Sequence, residues 1–271
     1  MNESVTNIQG MTSIEKDHLM ENHIASLRYS GIIQQALMPD ASVLKSFFSD
    51  YFILFLPRDI VSGDFYYIFR NRQFIAVAAG DCTGHGVPGA LLSILGINLL
   101  NEVLQSKNDP KANRVLNIMR EKVMKALRQT GEKSSALDSI DLGLCIIDCS
   151  NRNIQFSGAN RPLIMMRNGI LTEFKPDKMT IGVAPLKENS FTSQLVETLP
   201  GDTFYMFSDG YSDQFGELTD KKFKHGHLKR IIESVSGLPM DQQKTVLERT
   251  FLEWKGNAQQ NDDVMIIGFQ I

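Results

Sequence analysis

Ser62-Gly63-Asp64-Phe65-Tyr66 lies in an apolar, β-rich run over 60–69, and a second run, 74–79, leads into Gly80-Asp81-Cys82-Thr83-Gly84-His85-Gly86. Between them, Arg70-Asn71-Arg72-Gln73 reads as a hairpin turn. A tight turn of that length joins antiparallel strands, whereas parallel strands need a long crossover. The hairpin also brings Asp64 and Asp81, seventeen positions apart, close across the two strands, with an expected offset of about two residues.

Working outward, 87–104 reads as a helix with Pro88 in its first turn and a buried stripe of Leu91, Leu95 and Leu99, flanked by Leu92 and Val103. A second helix over 113–128 turns Val115, Ile118, Met119 and Val123 inward, and a polar stretch with Gly131, Ser134 and Ser135 follows. Hairpins are expected at Asn151-Arg152-Asn153 and at Asn168-Gly169, the latter joining 163–166 to 170–174. Further strands are expected over 191–199, 203–207 and 264–269, with helices over 228–235 and 243–254. This order is not the regular alternation of a doubly wound sheet. It fits an α+β fold of two stacked antiparallel sheets with helices on both outer faces.

Ahead of this region, 12–37 has helical periodicity through Ile14, Met20, Ile24, Leu27, Ile32, Ile33, Ala36 and Leu37, and Pro39 stops it. The chain divides near residue 45, into an N-terminal helical extension over 1–45 and a domain over 46–271. The extension either packs on its own domain or carries a signal by pairing two copies into a homodimer; both readings stand.

Asp64, Asp81, Asp209 and Asp262 each sit at the edge of a strand-like run. Asp beside Gly is often only a turn former. Four carboxylates at strand ends, with no His or Cys partners at matching spacing, instead suit a hard divalent cation that takes oxygen ligands. An unpaired carboxylate beside a buried strand would be costly.

The 271 residues carry 42% hydrophobic and 22% charged side chains and a formal net charge of −3. That is ordinary globular composition, with no basic block for nucleic acid or an anionic membrane. No run is expected to reach the roughly 20 apolar residues of a membrane span, and no basic-then-apolar leader is seen; a cytoplasmic location is expected. Cys145 and Cys149 fall about 13 Å apart on one expected strand, too far to pair. They are expected as small hydrophobes on one face, and with Cys82 they suit a reduced compartment.

Gly80-Asp81-Cys82-Thr83-Gly84-His85-Gly86-Val87-Pro88-Gly89-Ala90-Leu91, preceded by Ser62-Gly63-Asp64-Phe65-Tyr66, resembles the SpoIIE/RsbU-type branch of the metal-dependent protein serine/threonine phosphatases, which are protein phosphatase 2C-like. Ser157-Gly158-Ala159-Asn160, Ile181-Gly182, Ser208-Asp209-Gly210 and Asp262-Asp263-Val264 follow in the family's order, so the resemblance covers roughly 46–271. It implies an α-β-β-α sandwich and two or more Mn²⁺ or Mg²⁺ ions that activate a water for hydrolysis of phosphoserine or phosphothreonine. It implies Asp64 and Asp81 as core ligands, the backbone carbonyl of Cys82 in one metal's shell, and Asp209 from the far side of the cleft. Asp262 aligns as the last ligand, with Asp263 as neighbour or support.

The implied partner is a phosphorylated protein, of the anti-anti-sigma kind, in bacterial partner switching. Two alternatives stay open: a catalytically weak regulatory protein on the same fold, or another metal-dependent phosphohydrolase. No Gly-x-Ser-x-Gly elbow or Cys-x5-Arg loop offers a covalent nucleophile. His85 reads either as a general acid or as a residue of the turn into the helix. Arg58 reads as a phosphate ligand or a strand-edge residue. Asn160 reads as a shaper of the cleft or a turn residue. His225 and His227, among lysines, read as a solvated loop.

Overall fold

The computed structural model describes residues 12–40, 42–106, 109–129, 138–183 and 189–271. The polar stretch with Gly131, Ser134 and Ser135 lies outside them.

The hairpin that the sequence announces is β2 (Phe65–Arg70) with β3 (Phe74–Cys82). The run over 60–64 stays outside the strand. Strand β3 continues into pairing with β4 (Ile140–Asp148), then β5 (Ile154–Ala159) and the short β8 (Gln194–Val196). The second sheet runs β1 (Asp50–Leu56), β10 (Val264–Gln270), β9 (Thr203–Phe207), β6 (Leu163–Arg167) and β7 (Ile170–Phe174). Every strand pair is antiparallel. Asn168 and Gly169, at φ 52° and 76°, supply the left-handed pair that a tight turn between β6 and β7 needs.

Alternation along the strands builds the layers. Val77, Cys145, Ile147 and Phe156 meet Phe204, Met206, Ile267 and Phe269 between the sheets. Ala76, Ala78, Leu144 and Ile146 turn the other way, onto helices α3 (Gly86–Gln105) and α4 (Ala112–Ala126). On the opposite outer face, Ile164, Phe207 and Ile266 pack with α6 (His225–Val235) and α7 (Met240–Lys255). The result is the α-β-β-α sandwich. Two short helices, α2 (Ser42–Lys45) and α5 (Gly210–Asp213), complete the described elements.

Four expectations are corrected. On α3 the expected Leu92, Leu99 and Val103 are buried, joined by Ile97, Leu100 and Leu104, but Leu91 is 65% exposed. The register turns because Gly96 faces the sheet, where a Cβ would lie 2.8 Å from the Phe65 ring. Helix α3 also has the length and apolarity of a membrane span, contrary to the reading of the sequence; its apolar side packs on β2, β3 and α4. Cys149 lies past the end of β4 and is exposed, so it does not share a face with buried Cys145; all three cysteines are free. The strand expected over 191–199 is reduced to β8.

Helix α1 (Ser13–Leu37) starts with a capping box in which Thr12 and Glu15 satisfy each other's backbone amides. Its apolar stripe is not a buried face: Ile14, Met20, Ile32 and Ile33 are exposed, and only Gly31 and Gln34 are buried. Gln34 is the joint to the domain. Its Oε1 accepts from Ser62 N at 3.0 Å, and its Nε2 donates to the Ser62 carbonyl and to Ser93 Oγ on α3, the latter at 2.8 Å. Helix α1 is thereby tied to the segment that carries Asp64.

Candidate metal centre

The β2–β3 register pairs Phe65 with Gly80. One step further, Asp64 faces Asp81 directly, without the expected offset. Asp64 is only 2% exposed, and among the described residues its Oδ2 has no hydrogen-bond partner. Burial pushes its carboxyl well above the ordinary range, the nearby Asp81 adds to that, and the Ser208 hydroxyl opposes it. Asp81 is pushed up to about 7, first by burial; Arg161 opposes the shift while Asp209, Asp262 and Asp141 increase it. Such a set is short of positive charge.

The backbone here is packed too closely for side chains. A Cβ on Gly63 would sit 2.5 Å from the Gly84 carbonyl oxygen, and one on Gly89 would strike the same atom. Gly84 itself is at φ 83°, a turn that only glycine makes without strain. This stack fixes the Asp64 segment, the turn after Asp81 and the start of α3 against one another.

Asp209 follows β9 at the N-cap of α5, where its carboxylate makes no capping bond and turns to the cleft. Asp262 and Asp263 take different roles. Asp262 lines the cleft, with burial and then Asp209 and Asp263 raising its carboxyl against the Asp263 amide bond to Oδ1 at 2.8 Å. Asp263 is buried and commits both oxygens to backbone amides, Oδ1 to Arg58 N and Oδ2 to Gly63 N, each at 2.7 Å. It braces the Asp64 segment from below. Cys82 also lines the cleft, and its carbonyl oxygen lies 3.4 Å from where a Gly63 Cβ would be. Its buried thiol is held protonated, because burial and then Asp81 push it up.

Two residues of this site were not read from the sequence. Asp141 pairs directly with Asp81 across β3 and β4, a charged residue inside the run Ile140-Asp141-Leu142 that the strand register alone would have placed. Arg161 follows β5 in a turn where Asn160 adopts φ 57° and donates from Nδ2 to Asp141 Oδ1 at 2.9 Å. Arg161 Nη2 stands 2.9 Å from Asp81 Oδ2, 3.3 Å from Asp141 Oδ2 and 2.7 Å from Asp209 Oδ2. Asn160 is thus a turn residue that also holds the cleft-lining Asp141.

The remaining candidates lie at the rim or away. His85, half-exposed at the N-cap of α3, makes no capping bond; its Nδ1 is 3.1 Å from Asp59 Oδ2. Arg58 Nη1 donates to the Asn261 carbonyl at 3.0 Å. His225 and His227 are not in a loop but in the first turn of α6: His225 packs edge-on to Phe207, and His227 stacks on Phe223.

The cleft, about 220 Å³, is walled by Asp81, Asp141, Arg161, Asp209 and Asp262. Among the described residues no cluster of three or more His, Cys, Asp or Glu side chains stands ready around one metal position. Arg161 occupies the centre instead, with one guanidinium nitrogen in contact with three of the carboxylates. The donor chemistry still fits Mn²⁺ or Mg²⁺: hard oxygens, an unpartnered buried Asp64 Oδ2, and carboxyls raised by burial and mutual repulsion.

The family profile of Stage II sporulation protein E (SpoIIE) matches residues 71–271. No curated protein matches the sequence. Among solved structures, the SiaA-PP2C domain of Pseudomonas aeruginosa is similar at 27% identity and a TM-score of 0.83, over 93% of this chain and 98% of that one. The PP2C phosphatase domain of SpoIIE from Bacillus subtilis, with a fragment of its regulatory domain, gives 21% identity and 0.63, over 82% of this chain and 63% of that one. The RsbU and RsbW domains of a Mycobacterium tuberculosis protein give 16% and 0.63, over 82% and 59%.

Proposed function

This chain belongs to the SpoIIE family of PP2C-fold phosphatases, and from that premise we propose that it is a Mn²⁺- or Mg²⁺-dependent protein serine/threonine phosphatase. The observation that carries the reading is Asp64: a buried carboxylate near Asp81, with an oxygen that has no partner among the described residues, is costly unless a cation completes it. Asp64, Asp81, Asp209, Asp262 and the Cys82 carbonyl would hold the ions. When bound, two such ions supply a water acidified toward neutrality and neutralise the phosphoryl oxygens.

The chain's own residues do the rest. Asp263 and the glycine stack fix the Asp64 segment, so the ligands need not be ordered during turnover. Asp59 engages Nδ1 of His85 and holds the ring, so that the imidazolium, which carries a proton on each nitrogen, is the form with an Nε2 proton to give to a departing serine or threonine oxygen. The half-open cleft admits a side chain carried on another protein. A phosphorylated signalling protein of the anti-anti-sigma kind is the proposed substrate, in the cytoplasm. The exposed Ile14, Met20, Tyr29 and Ile32 of α1 support pairing with a second copy.

Hydrolysis of a phosphoserine peptide, with Mn²⁺ and with chelator, tests the reading. Turnover is expected only with the metal. Undiminished turnover in chelator would rule the metal-activated route out, and no turnover in either would favour a regulatory protein on this fold.

A further inference from the structure

We propose that Arg161 is a built-in counter-cation that must leave the carboxylates before the metal centre fills, so that this side chain sets the metal concentration at which the protein becomes active. The inference rests on the metal-dependent reading above and names how that same site is regulated.

One guanidinium nitrogen reaches Asp81 on β3, Asp141 on β4 and Asp209 beyond β9, and so joins the ends of both sheets. Its side chain is 12% exposed, which makes it an interior charge and not a surface ion pair. The backbone of residue 161 is held where it is: its amide donates to the Ala159 carbonyl at 2.7 Å, and its carbonyl fills space that a Cβ on Gly158 would need. Among the described residues Arg161 Nε is buried without a hydrogen-bond partner, so its present position leaves a donor unsatisfied.

A divalent ion bound by Asp81 and Asp209 would compete with Nη2 for the carboxylates that it now contacts through Oδ2. Its charge would repel a guanidinium held against the same carboxylates. The two cations therefore exclude one another. Without metal, Arg161 keeps Asp81, Asp141 and Asp209 from facing each other unpaired; with metal, it is released toward the mouth of the cleft.

The test replaces the charge and keeps the bulk, Arg161→Met, in the full chain. Mn²⁺ binding is measured by calorimetry, and unfolding is measured without metal. The variant is expected to bind Mn²⁺ at least about tenfold more tightly than wild type. Its metal-free form should melt at lower temperature, so that Mn²⁺ raises the melting point by more than it does in wild type. Equal or weaker Mn²⁺ binding in the variant would overturn the inference; if the KM for a phosphopeptide rose instead, the guanidinium would be a substrate clamp. Wild-type protein that binds no Mn²⁺ would remove the metal reading as well, a separable outcome. Should the variant fail to fold, wild type still decides: titration with diamagnetic Mg²⁺, followed through the arginine side-chain NMR signals, should free one hindered guanidinium as the site saturates. Saturation with no arginine signal changed would overturn the proposal.

Discussion

The middle of the two sheets and their cleft end are made by the same strands under opposite rules. Between the sheets, Val77, Cys145, Phe156, Met206 and Ile267 interdigitate with no charge to satisfy. A few residues along, β3 ends at Asp81-Cys82 and β4 begins at Ile140-Asp141, while β9 leads into Asp209 and β10 out of Asp262. The first region is stabilised by burial, at roughly 1.5–3 kcal/mol for each large apolar side chain. The second spends some of that stability on carboxylates held near each other. Stability and chemistry are thus separable along a single strand.

The comparison breaks if Asp81→Asn keeps its activity. Loss of the charge should lower phosphopeptide turnover by at least about a thousandfold and leave far-UV circular dichroism unchanged. Ile267→Ala, its counterpart between the sheets, should cost about 2–5 kcal/mol in denaturant unfolding, with the Mn²⁺ concentration for half-activity unaltered. A core change that shifted that concentration would show that the two regions are coupled.

Asp262 and Asp263 sharpen the boundary to one residue. Asp262→Asn should raise the Mn²⁺ requirement at least roughly tenfold, the scale seen even when outer partners of a metal site are lost. Asp263→Asn should act mainly on stability, by about 1–3 kcal/mol, because it leaves a buried amide poorly paired. The reverse ranking in metal titration and melting would exchange their roles.

The smallest effect is on pH. Asp81 is raised from 3.8 to about 7 in the folded chain, so the native state holds a proton that the unfolded state releases. Stability from this group is therefore present at low pH and is lost as pH rises through that window. Metal-free protein should melt a few degrees higher, about 2–4 °C, near pH 5.5 than near pH 7.5. Added Mn²⁺ should reverse the order, which scanning calorimetry at the two pH values would show.

Much of the fold was legible, because local chemistry and global structure agree there. The turn at Asn168-Gly169 and the runs around Arg70–Gln73 required only local rules. Helix α1 was legible as a helix but not in its packing: periodicity reports an apolar stripe, and nothing local says that Gly31 and Gln34 are the residues of the helix that become buried. The stripe of α3 was misjudged because Gly96 counts as apolar in no pattern, yet its missing side chain makes room for Phe65. At the site, the carboxylates beside glycines stood out in the sequence. Arg161 did not, since its meaning comes from three residues 20, 48 and 80 positions away in the chain.

The bonds from Asp263 to Arg58 N and Gly63 N span 205 and 200 residues. Among the described residues, strand β1, which leads into Arg58, pairs only with β10, which follows Asp263. Closing so long a loop is slow, and its entropy is recovered only when both sheets are in place. The carboxylate-lined end of the molecule is therefore completed only once both sheets are in place. Order of assembly becomes a safeguard: helices and hairpins can collapse early, but a competent set of ligands is among the last things that this polypeptide makes.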